Sequence, residues 1–153
     1  MLKVRRLEKD DIIFVLKMAK YFQENSLFKG CGFDEEKVLA LLDSCLNPKS
    51  PYFLVVGEVD KKIKGAFCGQ ISEYFFSKKR IASDLAIYVN PEDRRFALTF
   101  LNKAIAEFEK WAKKWEAMEV CISGSSGAYT GAYEKFLKRK QYNNIGFITK
   151  KGM

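Results

Sequence analysis

The sequence predicts a single α/β domain spanning residues 1–153, with a mixed central sheet of six to seven strands and about four helices. Three observations carry this. Short alternating or β-rich runs recur between segments of helical spacing, in the order β-α-α-β-β-β-α-β-α-β. Three strands follow one another closely in the middle, and a β-α-β unit comes after them. The chain of 153 residues is 48% hydrophobic and 14% aromatic, enough for one core, and no repeat or Pro/Gly/Ser-rich linker divides it.

"LKVRRL" alternates and reads as the first strand. "KDDIIFVLKMAKYFQEN" places Ile12, Val15, Leu16 and Ala19 on one helical face, and Asp10 or Asp11 is positioned to cap it. "SLFKGCGF" reads as a loop. "DEEKVLALLDSCL" reads as a second helix, with Asp34 as cap and Val38, Leu41, Leu42 and Cys45 facing inward, ended by "NPKSP". "YFLVVGEVD" and "KIKGAFCGQISEYFF" read as strands joined at Asp60–Lys61, and "RIASDLAIYVN" as the next strand, reached through "SKK". From Leu98 the apolar positions Leu98, Leu101, Ile105, Phe108, Ala112 and Trp115 step by three and four, which predicts an amphipathic helix. "AMEVCISGS" reads as a fifth strand, "TGAYEKFLKRK" as a short helix and "YNNIGFITKK" as one or two final strands.

Lys and Arg outnumber Asp and Glu by 27 to 19, a net charge of +8. That balance suits an anionic partner such as nucleic acid, a membrane surface or a phosphorylated cofactor, or simply solvates the surface. The basic runs "KKWE" and "KRKQY" come with no nucleic-acid motif. Lys103, Lys110, Lys113 and Lys114 fall opposite an apolar stripe, so no specific nucleic-acid partner is expected. No apolar run approaches the length of a membrane span and no signal segment is evident, so no membrane partner is expected and a cytoplasmic location is. Cys31, Cys45, Cys68 and Cys121 form no C-x-x-C pair and read as reduced thiols. The absence of histidine excludes Ser-His and Cys-His pairs and histidine-based metal sites, and no metal is expected. It also makes a nucleophilic role for Ser123, Ser125 and Ser126 in "SGSSG" the weaker reading. A cap for the next helix, or a lining for the cofactor end of the fifth strand, suits them better.

The stretch "DLAIYVNPEDRRFALTF", Asp84 to Phe100, begins as a strand and ends as a helix. A helix start carries unpaired N–H groups and partial positive charge, so Arg94 and Arg95 add charge of the sign it disfavours. An anion there would accept all of it. The alternative takes Asn90 as N-cap, Pro91 as first helical residue and Glu92 and Asp93 in the first turn, which leaves the arginines inside a helix with nothing to bind. The two readings differ in where the helix begins.

The whole order resembles the GNAT superfamily of acyl-CoA-dependent N-acetyltransferases, over roughly Lys3 to Lys151. The likeness rests on "SDLAIYVNPEDRR", "FALTFLNKAIAEFEKWAKK", "AMEVCISGSS" and "GAYEKFLKRKQYNNIGFITKK". It also extends to acetyltransferase-like proteins of phages and prophages. It implies acetyl-CoA or CoA as co-substrate and a small-molecule or protein amine as acceptor, with acyl transfer by direct attack of the amine. The family's Arg/Gln-x-x-Gly-x-Gly/Ala loop falls on Arg94, Ala97 and Thr99, with the arginine kept and both small positions changed. The resemblance implies that Arg94, Arg95, Phe96, Ala97, Leu98 and Thr99 hold the pyrophosphate, and that Ile87, Tyr88 and Val89 hold pantetheine. The family's Tyr-x-x-x-Gly-Phe spacing puts Leu137 at the usual tyrosine acid, Gln141 at the glycine and Tyr142 at the phenylalanine. Tyr133, one helical turn earlier, is then the candidate acid. Glu73 and Asp84 are the candidate carboxylates to take the amine's proton. The alternative is a GNAT-fold protein that has lost catalysis and binds nucleic acid or protein.

Overall fold

The computed structural model describes residues 1–124 and 131–153. It contains two compact units, Met1–Ser123 and Gly124–Met153.

The first unit is built on one five-stranded sheet in sequence order: β1 (Lys3–Arg6), β2 (Tyr52–Val59), β3 (Lys62–Tyr74), β4 (Ser77–Val89) and β5 (Ala117–Cys121). The first three pairings are antiparallel and β4–β5 is parallel. Val59 and Lys62 are partners, so Asp60 and Lys61 form a two-residue turn. Both have positive φ, as a type I′ hairpin requires. The β3–β4 hairpin is equally tight, with Tyr74 opposite Ser77. "SKK" therefore belongs to β4 and the turn is Phe75–Phe76. Ser77 pairs with Tyr74 and Arg80 with Glu73, so Lys78 and Lys79 are extra residues carried within β4, and the pairing on either side of them overrides the loop reading of Ser77–Lys79.

Helices α1 (Ile12–Glu24) and α2 (Glu35–Leu46) cover one sheet face, where Val15, Met18, Leu42 and Cys45 pack with Leu54, Val56, Ala66 and Cys68. Asp34 caps α2 through the Lys37 N–H at 3.0 Å, as expected. Asp11 occupies the N-cap position of α1 without capping it. Its carboxylate accepts the Glu8 N–H at 2.8 Å and forms a bidentate pair with Arg5 at 2.7 and 3.0 Å. Burial works to raise the Asp11 pKa, but the Arg5 and Glu8 hydrogen bonds outweigh it and bring the pKa below the usual value.

Helix α3 (Ala97–Lys114) covers the other face. Phe100, Leu101, Ala104, Ile105, Phe108 and Ala112 are buried along it, and Phe108 meets Phe53 at 5.3 Å and Phe67 at 5.0 Å. Leu98, expected inward, is 55% exposed, because it falls at the margin of the helical arc that Leu101, Ala104 and Phe108 centre. Gly69 explains how closely α3 approaches. A Cβ there would stand 2.4 Å from Phe108 Cε2 and 3.1 Å from the Ser83 carbonyl oxygen.

In the second unit α4 spans Gly131–Arg139 and closes with an ion pair from Lys138 to Glu134 at 3.3 Å. Residues 142–153 contain no strand, and Ile145, Phe147 and Ile148 are exposed. The expected final strands are therefore absent among the described residues. The sheet has five strands rather than six or seven, because β-propensity alone, without a paired partner, does not make a ladder. Ser125 and Ser126 lie outside the described residues.

Candidate functional site

The site is organised by the way β4 changes partners. Along one edge β4 pairs with β3 from Ser77 to Val89, with a register shift: Cys68 faces Ala86 while Gly69 faces Asp84. Leu85 is the extra residue, a bulge that bends the strand locally. Along the other edge β4 pairs with β5 only from Arg80 to Ser83, opposite Ala117 to Cys121. The two parallel strands part immediately afterwards. Beyond the fork, among the described residues, the Leu85–Val89 edge carries no ladder to β5, and its backbone donors and acceptors are open to an extended ligand.

Asp84 sits at the fork and joins its two arms. The Ser123 N–H donates to Oδ1 at 2.7 Å and the Ser123 hydroxyl donates to Oδ2 at 3.1 Å. Burial pushes the Asp84 carboxyl above the usual carboxylate range, against the pull of these bonds. The thiol of Cys121, on the opposite arm, is also raised, by burial and then by the charges of Glu119 and Asp84. The buried Cys68 thiol is raised too, chiefly by its hydrogen bond with Cys45. Neither thiol near the fork is therefore poised as a thiolate nucleophile.

At the far end of β4 the chain enters a 3-10 helical segment, Pro91–Phe96, and α3 starts only at Ala97. The helical start is thus divided between the two positions that the sequence readings require. Asn90 and Pro91 begin a helical turn, but it is a separate 3-10 segment, and the arginines lie in its last turn beside the start of α3. Asp93 is only 5% exposed and pairs with Lys64 Nζ at 3.0 Å, while the Asn90 N–H donates to the Lys64 carbonyl at 2.9 Å. This anchors the turn to β3 and satisfies Asp93 away from the arginines. Arg95 lies over the Phe96 ring, 4.7 Å from its centroid. The Arg94 carbonyl accepts the Ala97 N–H, but its side chain is exposed and, among the described residues, engages no hydrogen bond or ion pair. Phe96, the N-cap residue of α3, supplies no side-chain acceptor, and Thr99 is exposed in the first turn. Two guanidinium groups and an uncapped helix start therefore share one end of the open strand edge, a combination suited to phosphate.

Ile87, Tyr88 and Val89 are half-buried on the β4 arm. The Tyr88 ring turns to the α1 side, edge-on to Tyr21 at 5.9 Å, and its phenol is pushed up to about 12 by burial, then by Tyr21 and Glu92. A cleft of about 500 Å³ opens there between α1 and the end of β4, lined among others by Phe14, Lys17, Tyr21, Tyr88 and Glu92.

The three candidate acid–base residues fall on three different elements. Asp84 is the eighth residue of β4, not near its start as expected, and stands at the fork. Glu73 is exposed near the hairpin tip, opposite Arg80, four ladder pairs from the Asp84–Gly69 pair. Tyr133 is half-buried in α4 of the second unit. Leu137 is inside that helix, and its carbonyl accepts from the Tyr142 N–H at 3.0 Å. The literal Tyr-x-x-x-Gly-Phe string of the chain is Tyr142–Phe147, just past α4, which the helix-anchored spacing passed over. Sequence reasoning also missed the Asp84–Ser123 clasp and the Lys64–Asp93 pair. Neither has a local signature, since each joins residues far apart in the chain. Among the described residues no group of three or more Cys, Asp or Glu side chains is placed to hold a metal, and no helix is long and apolar enough to cross a membrane.

No family sequence model matches this chain, and no curated protein matches it in sequence. Solved structures do match. AAC(6')-Iy, solved with the bisubstrate analogue CoA-S-monomethyl-acetylneamine, has a TM-score of 0.75 at 13% identity, covering 100% of this chain and 98% of the other. An aminoglycoside acetyltransferase from an uncultured soil metagenomic sample, solved with sisomicin, has a TM-score of 0.66 at 16% identity, covering 99% and 95%. A transcriptional regulator from Bacillus halodurans has a TM-score of 0.73 at 10% identity, covering all of both chains. At these identities the likeness speaks for the fold alone: the chain shares the fold of these three structures.

Proposed function

We propose that this protein is an acyl-CoA-dependent N-acetyltransferase that moves an acetyl group from acetyl-CoA to a small-molecule amine. The observation that carries the reading is the fork between β4 and β5. An open strand edge leads from a half-buried carboxylate at Asp84 to the exposed Arg94 side chain beside an uncapped helix start. The backbone of Ile87–Val89 would hold pantetheine, and Arg94 and Arg95, with the first-turn N–H groups and Thr99, the pyrophosphate. Ala97 and Thr99 replace the glycines of the family loop, and the exposure of Thr99 leaves its hydroxyl free to donate to phosphate.

The co-substrate supplies an activated thioester. The amine nitrogen bonds to the carbonyl carbon, the C–S bond breaks, and the sulfur departs as the CoA thiol. Asp84, with its pKa raised by burial, is suited to take a proton from the acceptor nitrogen, so that it attacks as the neutral amine and ends as the amide. Cys121 and Cys68 are held as thiols, which favours direct transfer over a cysteinyl intermediate. Tyr133 or Tyr142 would return a proton to the thiolate. The acetyltransferases solved with sisomicin and with an acetylneamine analogue support a polyamine-type acceptor.

Calorimetric titration with CoA and acetyl-CoA tests the reading. Saturation near 100 Kd stabilises by about 2.7 kcal/mol, a rise of roughly 5–11 °C in Tm at about 2–4 °C per kcal/mol. No heat and no shift at millimolar CoA would remove the enzyme reading. The second reading, a catalytically inactive protein of this fold that binds nucleic acid or protein, is favoured by the changed loop positions, by Leu137 and by the fold shared with a transcriptional regulator. CoA binding without turnover of any amine in a broad panel would favour it.

A further inference from the structure

The β3–β4 hairpin ends in a turn made only of Phe75 and Phe76. Two-residue turns favour Gly, Asn or Asp, which supply left-handed backbone or a local hydrogen bond. Phenylalanine supplies neither, so the turn itself does not account for the pair. Phe75 is 99% exposed and Phe76 72%. Their rings meet edge-on at 4.9 Å, and Tyr74 stacks on Phe76 at 5.5 Å. The Tyr74 hydroxyl donates to Glu119 Oε2 of β5 at 3.0 Å, which ties the base of this wedge to the sheet. Behind it stand the exposed Lys78 and Lys79, then Arg80. The β4–β5 register places Arg80 opposite Ala117, so the end of α3, with Lys113 and Lys114, lies at the same end of the sheet. The neighbouring acids are Glu73, Glu116 and Glu119, the last engaged by Tyr74.

We propose that this tip docks the protein on an anionic lipid surface, with Phe75 and Phe76 entering the interface and Lys78 and Lys79 meeting the headgroups. Lys78 and Lys79 lie between the Tyr74–Ser77 and Glu73–Arg80 pairs, so at ~3.3 Å per ladder step they sit within about 7 Å of Phe76 along the strand. That matches the ~5–10 Å to which apolar groups sink at a membrane interface. A single-stranded nucleic acid would need open ring faces along a basic groove, whereas one face of Phe76 is covered by Tyr74. A second copy meeting tip to tip would bury about 400 Å² per chain at ~150–250 Å² per ring, below the ~800 Å² of a stable partner interface. The tip lies about 30 Å from Val89, the nine steps of β3 from Tyr74 to Gly65 that pair with this length of β4, so docking leaves the proposed CoA end in water. The expectation of no membrane partner considered spans only. A surface wedge needs none.

Co-sedimentation of the full chain with vesicles at ~0.15 M salt tests this. Phosphatidylcholine vesicles containing phosphatidylserine should be bound at least about tenfold more tightly than phosphatidylcholine alone, given about fivefold per cation. Lys78→Gln with Lys79→Gln should lose about 25-fold, and Phe75→Ser with Phe76→Ser should abolish partition while leaving the CoA-induced melting shift intact. As a second check that keeps the tip aromatic, Phe75→Trp in the otherwise native chain should show blue-shifted emission on anionic vesicles, quenched by brominated acyl chains. No partition onto anionic vesicles overturns the proposal. So does unchanged partition after loss of both phenylalanines, emission from the Phe75→Trp variant that vesicles leave unshifted, or tip-dependent binding of a single-stranded oligonucleotide in place of lipid.

Discussion

Asp84→Asn separates chemistry from architecture at the fork. The native carboxylate accepts two hydrogen bonds from Ser123, at 2.7 and 3.1 Å. An amide has the same shape: its carbonyl accepts from the Ser123 N–H and its NH₂ donates to the Ser123 oxygen once the hydroxyl turns. Bonds to a charged group contribute about 1.5–3 kcal/mol and neutral ones about 0.5–1.5, so the exchange weakens the clasp by roughly 2 kcal/mol. Against this, burial holds the Asp84 pKa above its ordinary value, so the charged form is disfavoured in the fold and its removal is favourable. The two effects oppose each other, and the net change should lie within about 1 kcal/mol, or some 2–4 °C in Tm. A carboxyl with a raised folded pKa contributes stability that is whole below its unfolded pKa, about 3.9, and is lost as pH rises through the folded pKa. Relative to Asp84→Asn, the native protein should therefore be more stable in acid than at neutral pH.

Catalysis should respond quite differently. If Asp84 takes the proton, Asp84→Asn lowers kcat/KM by about 10²–10⁴ while the CoA dissociation constant holds, because the phosphate end of β4 is untouched. The native kcat/KM should rise with pH through an inflection above the ordinary carboxylate range, and the variant should lose that limb. The assay is release of free CoA thiol over a panel of amines across pH, beside thermal melts of both proteins. A variant that keeps native turnover and an unchanged pH profile would show that Asp84 only clasps β5.

Arg94→Ala should weaken CoA binding by about 1.5–3 kcal/mol, the range for a charge-assisted hydrogen bond. A pantetheine fragment without pyrophosphate should be unaffected, and equal losses for both ligands would assign the arginine to folding. Asp11→Ala should cost about 3 kcal/mol, the low end for breaking a buried pair, because Arg5 keeps Glu58 at 2.8 Å. With the Asp11 pKa lowered, that stability is present above the unfolded pKa and is lost as pH falls through the folded one, so acid melts of the two proteins should converge. Gly69→Ala should destabilise by about 1–3 kcal/mol through the Phe108 contact, and circular-dichroism melts would show it. Tyr133→Phe and Tyr142→Phe, measured in steady state, should distinguish the proton donor by a fall of about 10²-fold or more in one of them. No fall in either would mean that the thiolate leaves unassisted.

Much of the first unit was legible because its signals are local. Asp34 caps α2, Asp60–Lys61 makes the predicted turn, and five of the six stripe positions, those from Leu101 to Trp115, face inward or partly so. The exception, Leu98, falls at the margin of the buried arc, where a three-and-four spacing alone does not separate inward from outward. The closing strands fail because "YNNIGFITKK" has strand composition, whereas a strand needs a neighbour with free backbone groups. At the candidate site, the exposed position of Arg94 beside a helix start follows from local sequence, while its role in binding phosphate is part of the proposal. The Leu85 bulge and the Asp84–Ser123 clasp do not follow from local sequence. Each depends on register between strands far apart in the chain, and a one-residue shift leaves no mark on composition.

The arginine pair shows how two opposed readings come to share one segment. Cap chemistry at Asn90 and Pro91 is real, but it starts a 3-10 turn of six residues, and α3 begins afresh after it. The decisive residue is Lys64. It holds Asp93 at 3.0 Å and draws that carboxylate down onto the start of β3. Had Asp93 faced Arg94 instead, the turn would carry its own counter-ion and an incoming phosphate would have to displace it. With Asp93 committed to Lys64, Glu92 is the turn's remaining acid to offset the two guanidinium groups, and the uncapped first turn of α3 adds partial positive charge of its own. The same pair fixes the turn against β3, so the positive end is held in register with the open edge of β4 rather than carried on a free loop. An extended ligand with an anionic tail would meet both at once, the backbone of Leu85–Val89 along its length and the arginines at its end, and this joint placement, more than any single residue, is what favours CoA over a simple phosphate.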